Sequence, residues 1–580
     1  MIVQELHRIQ HDHGFLPEPE LRRLAERMRT PLYRLQEVAS FFPHFRLHAP
    51  PKVEVRVCHD MACHQRGAAA LKADLERLLA ASKLNDSIEV SFVSCLGRCD
   101  RPVATVINDG VYVARSAQTL GGIAHRLLEG HPVPDDGDAA YAVHSNQPWK
   151  IDLYQGAPGY QAIRQFLEHR DPQRIIDALK AGDLRGMGGA GVPAHQKWTD
   201  VWQAKGSEKY IICNADESEP ATFKDRELLL RTPYLVLEGV ILAGLITGAT
   251  RGYIYVRHEY QEQIAAMKQA IATAEQRECC GKNILGSGRD FLVEVFTSPG
   301  GYVCGEQSAL VEVMEDRRAQ PRNKPPELQT NGLYDKPTLV SNVETFAWAP
   351  AIAVRGGEWY ANQGVPDCKG LRFFSLCGDV ARPGVYEVPS GITLGELIEK
   401  HAGGVSGTLK AFAPSGPSAG FLPAQIPVEQ LPRGWQQRKE LAALAAKVQQ
   451  DGGKHLSVLD LPLDLQRFRD LGLMLGAGMT VYNDSHDMAE AALNCVEFFR
   501  NESCGKCVPC RIGSEKVVQI AESLLARKLD APQLALQKLL IKELARTMET
   551  TSICGLGTVA AKPLQTALDH FSEDAHRHLR

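Results

Sequence analysis

Glu502-Ser-Cys-Gly-Lys-Cys-Val-Pro-Cys-Arg511 carries three cysteines, Cys504, Cys507 and Cys510, in C-x2-C-x2-C spacing. That spacing places three thiolates on one tight loop. Cys554, in Ser552-Ile-Cys-Gly-Leu-Gly557, can supply a fourth from a distance. Three near ligands and one remote one suit a cubane [4Fe–4S] cluster, whereas zinc more often takes separate C-x2-C pairs. The chain reads as helical from 485 to its charged end, so residues 485–580 form a helical region that carries a cluster site.

Working upstream, a second constellation is Cys58-x4-Cys63 followed by Cys95-x3-Cys99. Each pair follows a strand: Val53-Glu-Val-Arg-Val57 alternates, and Ile88 to Val93 reads as the next strand. Ala68 to Leu79 is helical between them, and Val103 to Val113 is a hairpin turning at Asn108-Asp109-Gly110. Four thiolates on two adjacent loops can hold an iron–sulfur cluster or zinc. The wider spacings, with Gly97 allowing close backbone approach, fit [2Fe–2S] better. Residues 1–50 read as short helices, with Leu21, Leu24, Ala25 and Met28 at helical spacing, and 51–132 as a small α/β domain.

The 580 residues make three to five domains at about 150 residues each. Net charge is −4, which excludes a dedicated basic nucleic-acid binder. No apolar run reaches the roughly 18 residues of a membrane span, and Val236 to Ala249, interrupted by Glu238, reads as a core helix. The start lacks signal-peptide order, so the expected location is cytoplasmic and reducing. Fifteen cysteines there need a reason other than disulfides. Eight belong to the two constellations. Cys213, Cys279, Cys280, Cys304, Cys368, Cys377 and Cys495 read as core residues. Residues 133–150 are Pro-, Asp- and Gly-rich and read as a linker.

Residues 151–360 alternate strands and helices, as a larger α/β domain does. Three loops in it carry chemistry. Gly182 to Trp198 holds Gly182, Gly186, Gly188, Gly189 and Gly191 before Lys197; such a loop closes backbone N–H groups around phosphate. Ile211 to Arg226 starts as a strand and crowds Asn214, Asp216, Glu217 and Glu219 into a polar loop. Ser298 to Leu310 is again Gly-rich and leads into a helix. Three such loops in one domain point to a dinucleotide or flavin cavity. Residues 361–484 hold short strands and Gly/Pro turns, with a polar insertion near 424–458.

Together these motifs resemble one family: the NADH-binding flavoprotein subunit of respiratory complex I and the diaphorase subunits of NAD-linked hydrogenases and formate dehydrogenases. The N-terminal part is similar to the thioredoxin-like [2Fe–2S] subunit that partners that flavoprotein, so both are fused here. Further matches are Phe41-Phe42-Pro-His-Phe45, Ser94-Cys-Leu-Gly-Arg-Cys99, Cys213-Asn-Ala-Asp-Glu-Ser-Glu-Pro220, Phe223-Lys-Asp-Arg226 and Pro321-Arg-Asn-Lys-Pro-Pro326. The resemblance implies a multidomain α/β architecture: a thioredoxin-like [2Fe–2S] domain, a Rossmann-like FMN/NADH domain, a ubiquitin-like β-grasp segment around Pro383 to Val388, and a C-terminal four-helix bundle with [4Fe–4S]. It implies FMN against Gly186, Gly188, Gly189, Gly191 and Lys197, bordered by Asn214, Asp216, Glu217, Ser218, Tyr302, Gly305, Glu306, Asn342 and Thr345. It places NAD at Glu219, Gln307 and Lys324. Hydride chemistry would be carried by FMN, with no catalytic side chain.

The chain also departs from the family's pattern. Met187 stands where Arg is usual, Val192 and Glu327 where Phe is usual, Gln307 in place of a second Glu, and Ser341 in place of a second Asn. Aromatics stacked on a dinucleotide contribute packing that Val or Glu cannot replace, so the changes fall on the dinucleotide side. The resemblance implies an NADH:acceptor oxidoreductase module, most like the beta subunit of a molybdenum- or tungsten-type NAD-dependent formate dehydrogenase partnering the catalytic subunit. The alternatives are a diaphorase subunit partnered by hydrogenase subunits, a fused complex I subunit, or an electron relay that has lost NAD binding.

Overall fold

The computed structural model describes residues 1–82, 87–133 and 148–580. Most of the linker expected over 133–150 lies outside the described residues. Three helices, Ile2–His13, Glu18–Met28 and Leu32–Phe41, open the chain. Strands β1 (Val53–Cys58), β2 (Ile88–Val93), β3 (Ala104–Ile107) and β4 (Gly110–Val113) follow, in sheet order β2-β1-β3-β4. β1 and β2 are parallel, and the rest of this thioredoxin-like sheet is antiparallel.

The central domain is built on β5 (Tyr210–Ala215), β6 (Arg251–Arg257), β7 (Leu292–Ser298) and β8 (Thr338–Asn342). Their order is β7-β6-β5-β8 and all are parallel. The chain winds outward from β5 through β7, then returns to β5's other side with β8. The reversal between β5 and β8 opens a crevice beyond their carboxyl ends, where doubly wound sheets bind ligands. Both faces are covered, which explains strands that read as continuous apolar runs. On one face Ile211, Cys213, Ile254, Val256 and Leu339 pack with the helices Pro233–Thr247 and Val343–Arg355. On the other, Tyr210, Ile212, Tyr253, Tyr255, Phe296 and Val340 pack against Val3, Leu6, Leu24, Leu35 and Phe42. The N-terminal helices are thus a layer of the central domain.

Glu238 sits inside the buried helix Pro233–Thr247 because its carboxylate accepts from Tyr154 Oη and Ala162 N, each at 2.7 Å. Among the described residues no single helix is long and apolar enough to cross a membrane.

Strands β9 (Leu371–Gly378), β10 (Gly384–Pro389), β11 (Leu409–Pro417) and β12 (Leu422–Pro423) form one sheet with a later strand, Gly478–Asn483. Between them, β13 (Gln425–Pro427) pairs antiparallel with β14 (His455–Ser457), which makes the later strand β15. The sheet order is β10-β9-β15-β11-β12, with β15 parallel to β9, as in a β-grasp. The insertion over 424–458 is closed by the β13–β14 ladder. Its Trp435, Leu441 and Val448 are buried in the same core as Phe374, Phe412 and Val481.

The C-terminal helices Met488–Asn501, Val508–Leu525, Ala531–Thr551 and Lys562–His570 pack as a bundle. Asn494 ties it to the thioredoxin-like domain: its Oδ1 accepts from Met61 N at 2.8 Å and its Nδ2 donates to His59 O at 2.9 Å.

Candidate functional site

The crevice beyond β5 and β8 gathers the glycine loop, the acidic loop and the Ser298–Leu310 loop. The glycine loop is closed by Gly186 N–H donating to Val192 O at 2.8 Å, and Gly189 takes φ +111°, a conformation side chains resist. Met187 N–H donates to Thr345 Oγ1 at 3.0 Å, which seats the loop on the start of the helix Val343–Arg355. Lys197 rises from the helix Ala194–Gln203 that follows. Its Nζ donates to Gln307 Oε1 at 2.9 Å and Val340 O at 2.5 Å, both neutral. No carboxylate lies within ion-pair distance of it among the described residues. Burial pushes Lys197 down to about 8, and the nearby Lys324 charge adds to that. A shielded cation with no carboxylate in contact, beside a loop of backbone amides, fits a phosphate.

The acceptors of the acidic loop are largely committed. Asp216 accepts from Ser218 Oγ at 2.5 Å and Ser298 Oγ at 2.6 Å. Asn214 Nδ2 donates to Gly305 O at 2.8 Å. Glu217 caps the helix Lys224–Arg231, accepting from Asp225 N at 2.8 Å and Arg226 N at 3.0 Å. Glu306 caps the helix Gln307–Met314 through Ser308 N and Ala309 N, each at 2.9 Å. Asn342 accepts from Glu344 N and Lys224 Nζ at 3.0 Å each and donates to Asp225 Oδ2 at 2.6 Å. Glu217, Glu306 and Asn342 therefore shape the crevice by holding backbone. Burial raises Asp216 to about 6 and Glu217 to about 7.

Among the residues expected at a dinucleotide, Glu219 accepts from Ser418 Oγ at 2.5 Å, and burial raises it to about 7. Lys324 Nζ lies 3.2 Å from Glu327 Oε2, both exposed. Glu327 thus competes for the cation expected to face a dinucleotide. Val192 is exposed at the rim.

The cysteines of the first constellation converge. Cys58 ends β1, Cys63 lies in the short helix Ala62–Gln65, and all four thiols are buried. Cys95 and Cys99 Sγ are 3.4 Å apart, and Cys58 is hydrogen-bonded to Cys63 and Cys95. Those bonds from Cys58 and Cys99 pull Cys95 well down, while the two donors are pushed up. Backbone amides donate to three of the sulfurs: Gly97 N to Cys95 at 3.4 Å, Ala104 N to Cys63 at 3.5 Å and Ala221 N to Cys99 at 3.3 Å. Four crowded thiols with amide donors on sulfur fit an iron–sulfur cluster. Asp60 Oδ2 holds the loop by accepting from Cys95 N at 2.7 Å.

Cys504, Cys507, Cys510 and Cys554 also meet. Cys507 precedes the helix Val508–Leu525, Cys510 lies in its first turn, and Cys554 precedes the short helix Gly555–Val559. Each of Cys504, Cys510 and Cys554 feels the charge of another member. Burial raises Cys510 and Cys554 to about 11. Ser503 Oγ lies 3.2 Å from Cys510 Sγ, and Leu556 and Gly557 amides donate to Cys554. Tyr302 stands between this group and the crevice: its N–H donates to Glu502 Oε2 at 2.7 Å, its side chain bonds Glu219, and its ring lies 5.2 Å from that of Phe498.

Several residues hold the site through contacts that their local sequence does not announce. Lys224, within the Phe223–Arg226 motif, is buried, with Nζ 2.6 Å from Asp225 and 3.0 Å from Glu344. Ser298, Ser418, Asp60, Glu502 and Arg257 act through partners remote in sequence.

Comparison with known proteins matches these regions one by one. Residues 1–127 match a thioredoxin-like [2Fe–2S] ferredoxin domain, 179–351 the Nuo51 FMN-binding domain, 373–422 an SLBB domain, and 490–578 the NADH-ubiquinone oxidoreductase-F iron–sulfur binding region. The NADH-quinone oxidoreductase F 2 subunit of Rhizobium meliloti is 38% identical over 432 residues, covering 74% of this chain and 94% of the relative. The alpha subunit of the NAD-reducing hydrogenase HoxS of Cupriavidus necator is 30% identical over 594 residues, covering 99% and 91%. An NAD+-reducing [NiFe]-hydrogenase structure in the air-oxidized state aligns with a TM-score of 0.82 at 29% identity, over 100% of this chain and 93% of that one. The chain therefore belongs to the family of flavin and iron–sulfur oxidoreductase subunits that includes the F subunit of NADH-quinone oxidoreductase and the alpha subunit of NAD-reducing hydrogenase.

Proposed function

We propose that this chain is the diaphorase subunit of a larger complex, exchanging hydride with NAD(H) and single electrons with a partner. FMN, when bound, supplies both the hydride step and the change from electron pairs to single electrons. The chain's own residues supply the frame. Lys197 and the Gly186–Gly191 amides would hold the flavin phosphate. Asn214, Asp216, Ser218 and Gly305 would border the ring and ribityl chain, with Glu217, Glu306, Asn342 and Thr345 fixing the backbone around them. Glu219, Gln307 and Lys324 would face the dinucleotide. Cys58, Cys63, Cys95 and Cys99 would ligate [2Fe–2S], and Cys504, Cys507, Cys510 and Cys554 would ligate [4Fe–4S].

The observation that carries this reading is contact of the crevice loops with both cysteine groups. Ala221 N–H reaches Cys99 Sγ at 3.3 Å, and Tyr302 joins Glu219 to Glu502 beside Cys504. A hydrogenase-type partner is favoured over the formate dehydrogenase subunit expected from sequence. The support is a likeness to the NAD-reducing hydrogenase alpha subunit that spans 99% of the chain, fused N-terminal region included. Exposed Val508, Ile512 and Ile553 beside the second cysteine group offer that partner an apolar seat. A cytoplasmic site of action agrees with fifteen cysteines that are all unpaired.

Anaerobic reduction of a viologen dye by the cofactor-loaded chain tests the reading. NADH-driven dye reduction is expected. Clusters that dithionite reduces, with no dye reduction from NADH, would leave only an electron relay, the reading that the Lys324–Glu327 pair and exposed Val192 favour.

A further inference from the structure

Two loops serving different cofactors are joined by one side chain. Arg257 ends β6 and is 3% exposed. Its Nη1 donates to Glu217 O at 2.6 Å, in the acidic loop after β5. Its Nη2 donates to Cys95 O at 2.7 Å, in the first cysteine loop. The guanidinium also pairs with Glu259, Nε to Oε2 at 2.9 Å and Nη2 to Oε1 at 2.8 Å. Its centre lies 5.2 Å from the Tyr260 ring, and Tyr260 Oη donates to Glu217 Oε2 at 3.2 Å. That ring occupies the space beside Gly97, where a Cβ would come within 2.3 Å of the tyrosine hydroxyl. Arg226 adds a second bracket, donating to Gly97 O and to Asp100 Oδ2 at 2.8 Å.

We propose that Arg257 is a positioning residue for the [2Fe–2S] cluster: it clamps the Cys95 loop to the flavin loop and, with Glu259, sets the cluster's reduction potential. The proposal rests on the assignment of Cys58, Cys63, Cys95 and Cys99 to that cluster. Reduction adds one electron, and so one negative charge, to the cluster. The buried Arg257 cation favours the reduced state and the Glu259 carboxylate opposes it, both acting at short range. Removing one or the other therefore shifts the potential in opposite directions. A residue that merely glued the loops together would give no such reversal of sign. Arg257 and Cys95 also border a cavity of about 1040 Å³, so a shorter side chain at 257 opens onto existing space.

The test is an anaerobic redox titration of the full, cofactor-loaded chain, followed by EPR, in wild type, Arg257→Gln, Arg257→Lys and Glu259→Gln. Arg257→Gln is expected to make the [2Fe–2S] cluster harder to reduce by about tenfold, ~59 mV for one electron. Glu259→Gln is expected to make it easier to reduce. Arg257→Lys keeps the charge but loses the two-armed fork, so its potential stays near wild type while its signal broadens. The [4Fe–4S] potential holds in all three, as internal control. Shifts of the same sign in Arg257→Gln and Glu259→Gln, or no shift, would overturn the proposal. If Arg257→Gln loses the cluster, Glu259→Gln decides by its sign, since both loop contacts of Arg257 remain. A wild-type chain with no [2Fe–2S] signal would overturn the ligand assignment instead.

Discussion

Lys197 is the residue whose state depends most on what occupies the crevice. Burial holds it near 8, below its ordinary 10.5. In the ligand-free protein the unfolded chain binds more protons between those values, so stability rises with pH from about 8 to 10.5. A bound phosphate dianion restores the charge, so flavin affinity falls as pH rises through about 8. Fluorescence titration of FMN at pH 7 and pH 9 checks this, and Lys197→Met should bind FMN about 10- to 100-fold more weakly at pH 7, the loss of one charge-assisted bond. Gln307, bonded to that lysine, removes a negative charge from the site. Gln307→Glu is expected to lower NADPH turnover relative to NADH; identical ratios in the two proteins would sink that idea. The Cys58/Cys63, Cys95/Cys99 and Cys504/Cys507/Cys510 groupings and the glycine loop stand out in the sequence because the spacing within each is local. The bond of Arg257 to Cys95 does not, because it spans 162 residues.

At the scale of elements, the parallel strands were recognisable as apolar runs, but which layer covers each face was not. The face of Tyr210, Ile212, Tyr253 and Tyr255 is covered by helices that begin at residue 2, far off in sequence. Deleting residues 1–46 is therefore expected to uncover that face and bring aggregation or dye binding by the central domain. A truncated chain that stays monomeric with wild-type melting would contradict the layering. The opposite face depends on close helix contact: a Cβ at Gly239 would lie 1.9 Å from Phe346 O. Gly239→Ala should cost roughly 1–3 kcal/mol in urea unfolding. The insertion over 424–458 looked polar in sequence because only one side of Ala442–Gln450 is apolar. That side, Leu444, Ala445 and Val448, is buried in the β-grasp core.

For the whole molecule, the order of parts along the chain was legible and their junction was not. The fused N-terminal region does not hang as an appendage. Its helices layer the central sheet, its cysteine loop takes an amide bond from Ala221, and its Met61 is bonded to Asn494 of the bundle. These contacts bring both cysteine groups against the loops of one crevice. In the proposed function, electrons enter at that crevice from a nicotinamide and reach both clusters. The most direct measurement is a stoichiometric NADH titration of the anaerobic chain loaded with iron, sulfide and FMN, followed by visible absorbance and EPR. Flavin bleaching together with reduced-cluster signals is expected at sub-millimolar NADH. Bound FMN and dithionite-reducible clusters that respond to neither NADH nor NADPH would contradict it.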